Sequence, residues 1–191
     1  METILGLCIG VGLSAACGFR VFVPLLVMSI ATMMGWFEPS KGFEWLALPS
    51  VCLALGVATV CEIAAYYIPW VDNALDTVAT PAAMIAGTLT TMAVSSGEMS
   101  QFASWAAAII VGGGTAGVVQ MSTVAARGVS TATTGGLGNF LVSTGEWIGA
   151  ILLSVSAMLV PALVAIVVLI AVIWVVRWIR QKKQEQAHSP L

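Results

Sequence analysis

Arg20 and Glu62 each interrupt a long apolar stretch, residues 3–35 and 46–68. A charge deep in a membrane span costs from about 2.5 to over 10 kcal/mol, so it is kept where it meets a partner or a wet cavity. Arg20 therefore reads as an anion contact or as the ion-pair partner of Glu62. The competing reading is that the chain breaks at Gly18 and the guanidinium reaches a headgroup. Glu62 precedes Pro69 by seven residues, about 10 Å along a helix. It suits a proton or cation relay and, equally, a structural ion pair.

Four further charges complete the candidate set. Asp72 and Asp76 are four apart and share a helix face with Thr80. Following Pro69-Trp70, they read first as helix-start residues, with Asp72 as N-cap and Asp76 in the first turn, and only second as a metal site. Ser143-x-x-Glu146 before an apolar run fits a capping box. Arg127 falls on the same expected side as Glu146, so these two are also an ion-pair candidate.

The elements that must position these groups follow from composition. Of 191 residues, 59% are hydrophobic and 8% are charged, against roughly 25% charged in a soluble domain. That excludes an ordinary water-soluble globule and a disordered chain. The net charge is −2, and four of the seven basic residues crowd residues 177–183, so no basic surface awaits nucleic acid. Charge-free runs at 77–97, 99–126 and 147–176 each reach the ~20 residues a transmembrane helix needs. The runs are continuous rather than alternating, which favours helices over a barrel. The expected fold is all-α, a polytopic membrane domain over 1–176. Its five spans are placed at about 3–35, 46–68, 77–97, 101–125 and 146–176, ahead of a polar basic tail at 177–191.

Arg177, Arg180, Lys182 and Lys183 place the C-terminus in the cytoplasm. Counting back puts Glu38, Lys41 and Glu44 inside, Asp72 and Asp76 outside, Glu98 inside and Arg127 outside. Trp36, Trp45, Tyr66, Tyr67, Trp70, Trp147, Trp174 and Trp178 fall near the expected span ends, where amphipathic rings prefer the interface. No Lys or Arg precedes Leu13-Ser14-Ala15-Ala16-Cys17, so the N-terminus reads as a retained span rather than a signal peptide.

The first span is irregular, with Gly6, Gly10, Gly12 and Gly18 before Arg20 and Pro24 after it, and a break is expected there. The fourth repeats the theme, with Gly112-Gly113-Gly114 and Gly117 before Arg127. Each arginine is followed by a Ser/Thr-x-x-Glu string, at Thr59–Glu62 and Ser143–Glu146. This order fits a 2+1+2 inverted repeat with broken helices, and fits equally a chain whose small residues let helices approach. Residues 127–145 are the longest polar interruption, an exposed loop or a buried re-entrant segment.

Three strings carry a family likeness: Gly18-Phe19-Arg20-Val21-Phe22-Val23-Pro24-Leu25, Glu62 through Ile68-Pro69-Trp70-Val71-Asp72 to Asp76, and Gly138-Asn139 with Val142-Ser143-x-x-Glu146. Together the chain resembles a family of bacterial inner-membrane proteins known as a domain of unknown function and loosely described as transporter-like. It departs from that pattern at Phe140, where proline is common, at Trp147, where a second acid is common, and at Tyr67, where a charged residue often precedes the Ile-Pro. The resemblance implies a bacterial inner-membrane location and names no substrate.

Cys8, Cys17, Cys52 and Cys61 lie in apolar segments, and the single histidine, His188, is in the tail. They read as small buried residues, with no metal or cofactor motif. No Ser/His or Cys/His constellation points to an enzyme. The expectation is a transporter or channel for an ion or small solute, a possible homo-oligomer in the bilayer, with Arg20, Glu62, Asp72, Asp76, Arg127 and Glu146 as its polar site. The alternative is a scaffold or lipid-binding partner protein that docks through Gly-lined faces and a basic tail.

Overall fold

The computed structural model describes residues 2–95 and 99–188, with side chains not described at Glu2, Pro69, Trp70, Asp72, Asn73, Ala74, Ile179 and residues 182–188. The calls on Glu98, Trp70, Lys182, Lys183, His188 and the Asp72 side chain lie outside this set.

The described residues are overwhelmingly helical. In chain order they form α1 (Glu2–Phe19), α2 (Phe22–Met33), a short 3-10 turn (Glu44–Ala47), α3 (Pro49–Ala65), α4 (Pro69–Ala93) and α5 (Gln101–Ala107). A π-helical turn (Ala108–Gly113), α6 (Gly114–Thr134), α7 (Asn139–Leu159) and α8 (Pro161–His188) follow. Gln101–Thr134, Asn139–Leu159 and Pro161–Trp178 are long and apolar enough to cross a membrane. α1 lies at the centre of the bundle, against α4, α6, α7 and α8. The outer surface stays greasy, with Leu53, Ile110, Leu152 and Ile170 exposed, as a lipid-facing surface requires.

The first apolar stretch is two helices rather than one crossing. α1 runs toward the end of the bundle that carries the 135–138 turn, breaks at Arg20 and Val21, and α2 runs back. The direction follows from the contacts. Ser14 reaches Gly87 and Thr91 of the antiparallel α4, while beyond α2 the Ser40 amide donates to Ala93 O at the far end of α4. α1 and α2 thus form a hairpin with Arg20 at its tip.

Residues 146–176 also divide. The helix stops at Val160, and Pro161, which lacks an N–H, opens α8 in the reverse direction. α8 then runs parallel to α1, since Val164 meets Gly12 and Val175 shares a cavity with Val142 and Gly145 near the start of α7. This corrects the sequence-based topology. The outgoing end of α8 lies with Arg127 and Asp76 at one end of the bundle, not opposite them, because one expected span is an antiparallel pair. The arginine-bearing α1 and α6 both run antiparallel to α4, hence parallel to each other, rather than in the opposed sense of an inverted repeat.

Small residues set the close approach at the centre. A Cβ on Gly87 would lie 2.6 Å from Ala116 Cβ and 2.8 Å from Gly112 O, so α4 touches the π turn backbone to backbone. That turn is the irregularity in the fourth span: it stays helical instead of breaking. Residues 127–134 continue α6, and Gly135 and Gly136, at φ 62° and 91°, reverse the chain before α7. The polar interruption is therefore mostly helix with a tight glycine turn.

Candidate functional site

Five helices deliver charge to one place. Arg127 on α6 precedes the helix end at Thr134 by seven residues, and Glu146 on α7 follows its start at Asn139 by seven. At 1.5 Å per residue both lie about 10 Å below the connecting turn. The α1–α2 tip brings Arg20 to the same depth. Arg20 is 1%, Arg127 2% and Glu146 4% exposed.

Glu146 is the hub. Its Oε2 lies 3.0 Å from Arg20 Nη2, and its Oε1 lies 3.4 Å from Arg127 Nε. Arg127 Nη1 is 2.8 Å from Asp76 Oδ1, so the charges alternate in sign along a chain. Arg20 Nη2 also donates to the Ser143 carbonyl at 3.2 Å, and Arg127 Nη2 reaches Thr123 Oγ1 at 3.5 Å. Beneath both cations lies Tyr66, the residue that follows α3. Its ring centroid is 3.8 Å from Arg20 Cζ and 4.6 Å from Arg127 Cζ, where a desolvated cation–π contact contributes up to about 2 kcal/mol.

Glu62 is engaged elsewhere than expected. Its Oε1 and Oε2 accept from the amides of Val21 and Phe22 at 2.7 and 3.1 Å. It caps the start of α2, where free N–H groups and the helix dipole favour a carboxylate. The Arg20–Glu62 ion pair is replaced by Arg20–Glu146, because the break in the chain exposes two amides nearer to Glu62 than the guanidinium is. Arg20 does not reach a headgroup either.

Both capping expectations for the other acids are overturned. α4 begins at Pro69, so Asp76 is nearly two turns in and pairs with Arg127. α7 begins at Asn139, so Ser143 and Glu146 lie inside the helix rather than at its start. The longer helices place residues read as helix starts on an interior face. The structure thus gathers Arg20, Asp76, Arg127 and Glu146, with Glu62 beside them at the break.

Sequence reading missed Tyr66, which is 5% exposed rather than interfacial. It also missed Gln120 and Thr123, both buried. Their spacing with Arg127, at 120, 123 and 127, is a polar stripe on one helix face and could have been found. At the rim, Tyr67, Phe140 and Trp147 meet. The Tyr67 and Phe140 ring centroids are 5.2 Å apart, and Trp147 Nε1 donates to the Tyr67 hydroxyl at 3.1 Å. The three positions that depart from the family pattern are therefore one contact cluster.

Two clefts flank the charges. One, of about 520 Å³, lies among α1, α6, α7 and α8 and has Glu146 in its wall. The other, of about 440 Å³, opens between α3 and α4 and is lined by Glu62 and Tyr66. Among the described residues no group of three or more His, Cys, Asp or Glu is placed to hold a metal.

A family model described as a domain of unknown function (DUF4126) matches residues 7–181. No curated protein and no solved structure matches the chain.

Proposed function

The chain belongs to the DUF4126 family, and we propose that it is a small integral membrane transporter for an ion or small solute, with the Arg20–Glu146–Arg127–Asp76 cluster as its substrate-responsive gate. One observation carries this reading: a hairpin re-enters the bundle and ends in a buried arginine held by ion pairs rather than by continuous helix. Broken helices inside a membrane are tolerated where they are buried in protein or line a solvated site, and in transporters such breaks hold the substrate. Glu146 serves two cations, so a solute or proton that takes over one pairing frees an arginine. Switching requires a second arrangement of the gate, one in which Glu146 keeps a single arginine. By the excess of basic residues in the tail, the end bearing the cluster faces the cytoplasm, and the family resemblance implies a bacterial inner membrane. No catalytic role is assigned to the cluster.

The test is reconstitution into liposomes with a panel of inorganic ions and small carboxylates. The native protein is expected to move at least one of them, and Arg20→Ala to abolish movement while the protein stays folded by circular dichroism. A folded native protein that moves none would end the proposal.

A further inference from the structure

The hairpin tip and the charged cluster together hold more carboxylates than cations. Arg20 and Arg127 pair with Glu146 and Asp76, which leaves Glu62 with the Val21 and Phe22 amides and, among the described residues, no ion-pair partner. The group as a whole therefore carries one negative charge in excess, and it sits on Glu62. Both Glu62 oxygens accept a hydrogen bond, which suits the ionised form. An ionised carboxylate has about four acceptor positions, so it has room for further donors.

Glu62 lines the cleft of about 440 Å³ between α3 and α4, a volume within the usual range for a small-molecule site, roughly 300–1,000 Å³. α3 packs mainly on α2 and the 3-10 turn, so its other side is separated from α4 by this space. Ala58 and Ala65 stand about one turn to either side of Glu62 on α3, and α4 presents an apolar stripe from Leu75 to Ala82, about 10 Å long. No lysine or arginine lines the wall. The Tyr66 ring is taken up by Arg20 and Arg127, which leaves Glu62 as the group that meets a ligand's charge.

We propose that this cleft binds a single-chain primary amine in its ammonium form, with the N–H groups donating to Glu62 and the hydrocarbon chain along the Leu75–Ala82 face of α4. The inference goes beyond the transport reading and does not rest on it, since binding at Glu62 needs no passage through the gate. An ammonium group has three donors and no acceptor, and its single charge cancels the excess. A divalent metal ion such as calcium takes six to eight oxygen ligands, and the wall offers the Glu62 carboxylate and the Tyr66 hydroxyl. A phosphatidylethanolamine is disfavoured because its phosphate would accompany the ammonium to a wall that holds no cation.

The experiment is calorimetric titration of the full chain, purified in a non-ionic detergent, against a protein-free micelle blank. The ligands are decylammonium, decanol, decanoate, methylammonium and phosphatidylethanolamine. Decylammonium is expected to bind saturably. Decanol and decanoate keep the tail without the positive charge, and methylammonium keeps the charge without the tail, so each should bind at least about tenfold more weakly, the equivalent of one charge-assisted hydrogen bond or of a few buried methylenes. Glu62→Gln should weaken decylammonium by at least about tenfold on the same measure. Ala58→Trp, which fills the cleft and leaves every charge and the amide cap in place, should do so too, and it carries the test should Glu62→Gln not fold. An unchanged decylammonium affinity in Ala58→Trp, or decanol or decanoate binding as tightly as decylammonium, overturns the site. Displacement of decylammonium by an equal concentration of phosphatidylethanolamine also overturns it and gives the cleft to a lipid headgroup.

Discussion

Arg20 Nη2 lies 3.0 Å from Glu146 Oε2, and this pair joins the tip of the N-terminal hairpin to a helix from the other half of the chain. Both side chains are almost fully buried, and Glu146 is shared with Arg127. The hairpin is thus anchored by electrostatics at a point where the helix itself is interrupted.

Removing the hub should hurt more than removing the end of the chain of charges. Glu146→Gln leaves two buried guanidiniums without their shared carboxylate, and breaking a buried pair costs about 3–5 kcal/mol. Asp76→Asn leaves Arg127 its contact with Glu146, and a cost of about half that is expected. Thermal unfolding in detergent should rank the variants in this order; equal shifts would mean that Glu146 is not the hub.

Glu62→Gln should loosen the break between α1 and α2. An amide oxygen can accept from one of the Val21 and Phe22 amides but cannot supply the charge that both now meet, a loss of about 1–2 kcal/mol by the measure of helix caps. Hydrogen exchange should speed up at residues 21 and 22 and stay unchanged along α7.

Tyr66→Phe keeps the ring beneath both guanidiniums, and Tyr66→Leu removes it. The leucine variant is expected to be less stable than the phenylalanine variant by about 1–2 kcal/mol. Matching melting temperatures for the two would show that the stacking contributes nothing.

Gly87→Val places new atoms against Ala116 Cβ and Gly112 O and should cost about 1–3 kcal/mol or more through overpacking. Gly56→Ala meets nothing within 4 Å and serves as the control, neutral or slightly stabilising. A fluorescence-detected size-exclusion assay after heating separates the two.

Topology gives a direct check on the paired helices at the C-terminus. In a chain freed of native cysteines, Leu137→Cys, in the turn between α6 and α7, is expected to label from the same side as a reporter fused after the tail. Lys41→Cys should label from the other side. Labelling of Leu137→Cys opposite to the tail reporter would restore a single span over 146–176.

The membrane class, the all-helical fold, the break before Pro24 and the charged residues of interest were legible in the sequence. A shortage of charge and long apolar runs are local properties, and a charge within such a run stands out without knowledge of its neighbours. One partnership was legible, that of Arg127 with Glu146, and the others were not. Asp76 and Glu146 looked like helix starts because the pattern placed their helices too late, and α7 and α8 merged into one span because an apolar run carries no record of where it reverses.

Which carboxylate meets which arginine depended on where the hairpin tip comes to rest. Glu62 and Glu146 both lie within reach of that tip, and in a medium that leaves no polar group unsatisfied each must take the nearest unpaired donors. For Glu62 these are the amides of Val21 and Phe22, and for Glu146 they are two guanidiniums. That assignment arises only when helices distant in the chain are packed together, so tertiary structure decided the site while composition alone had already decided the solvent.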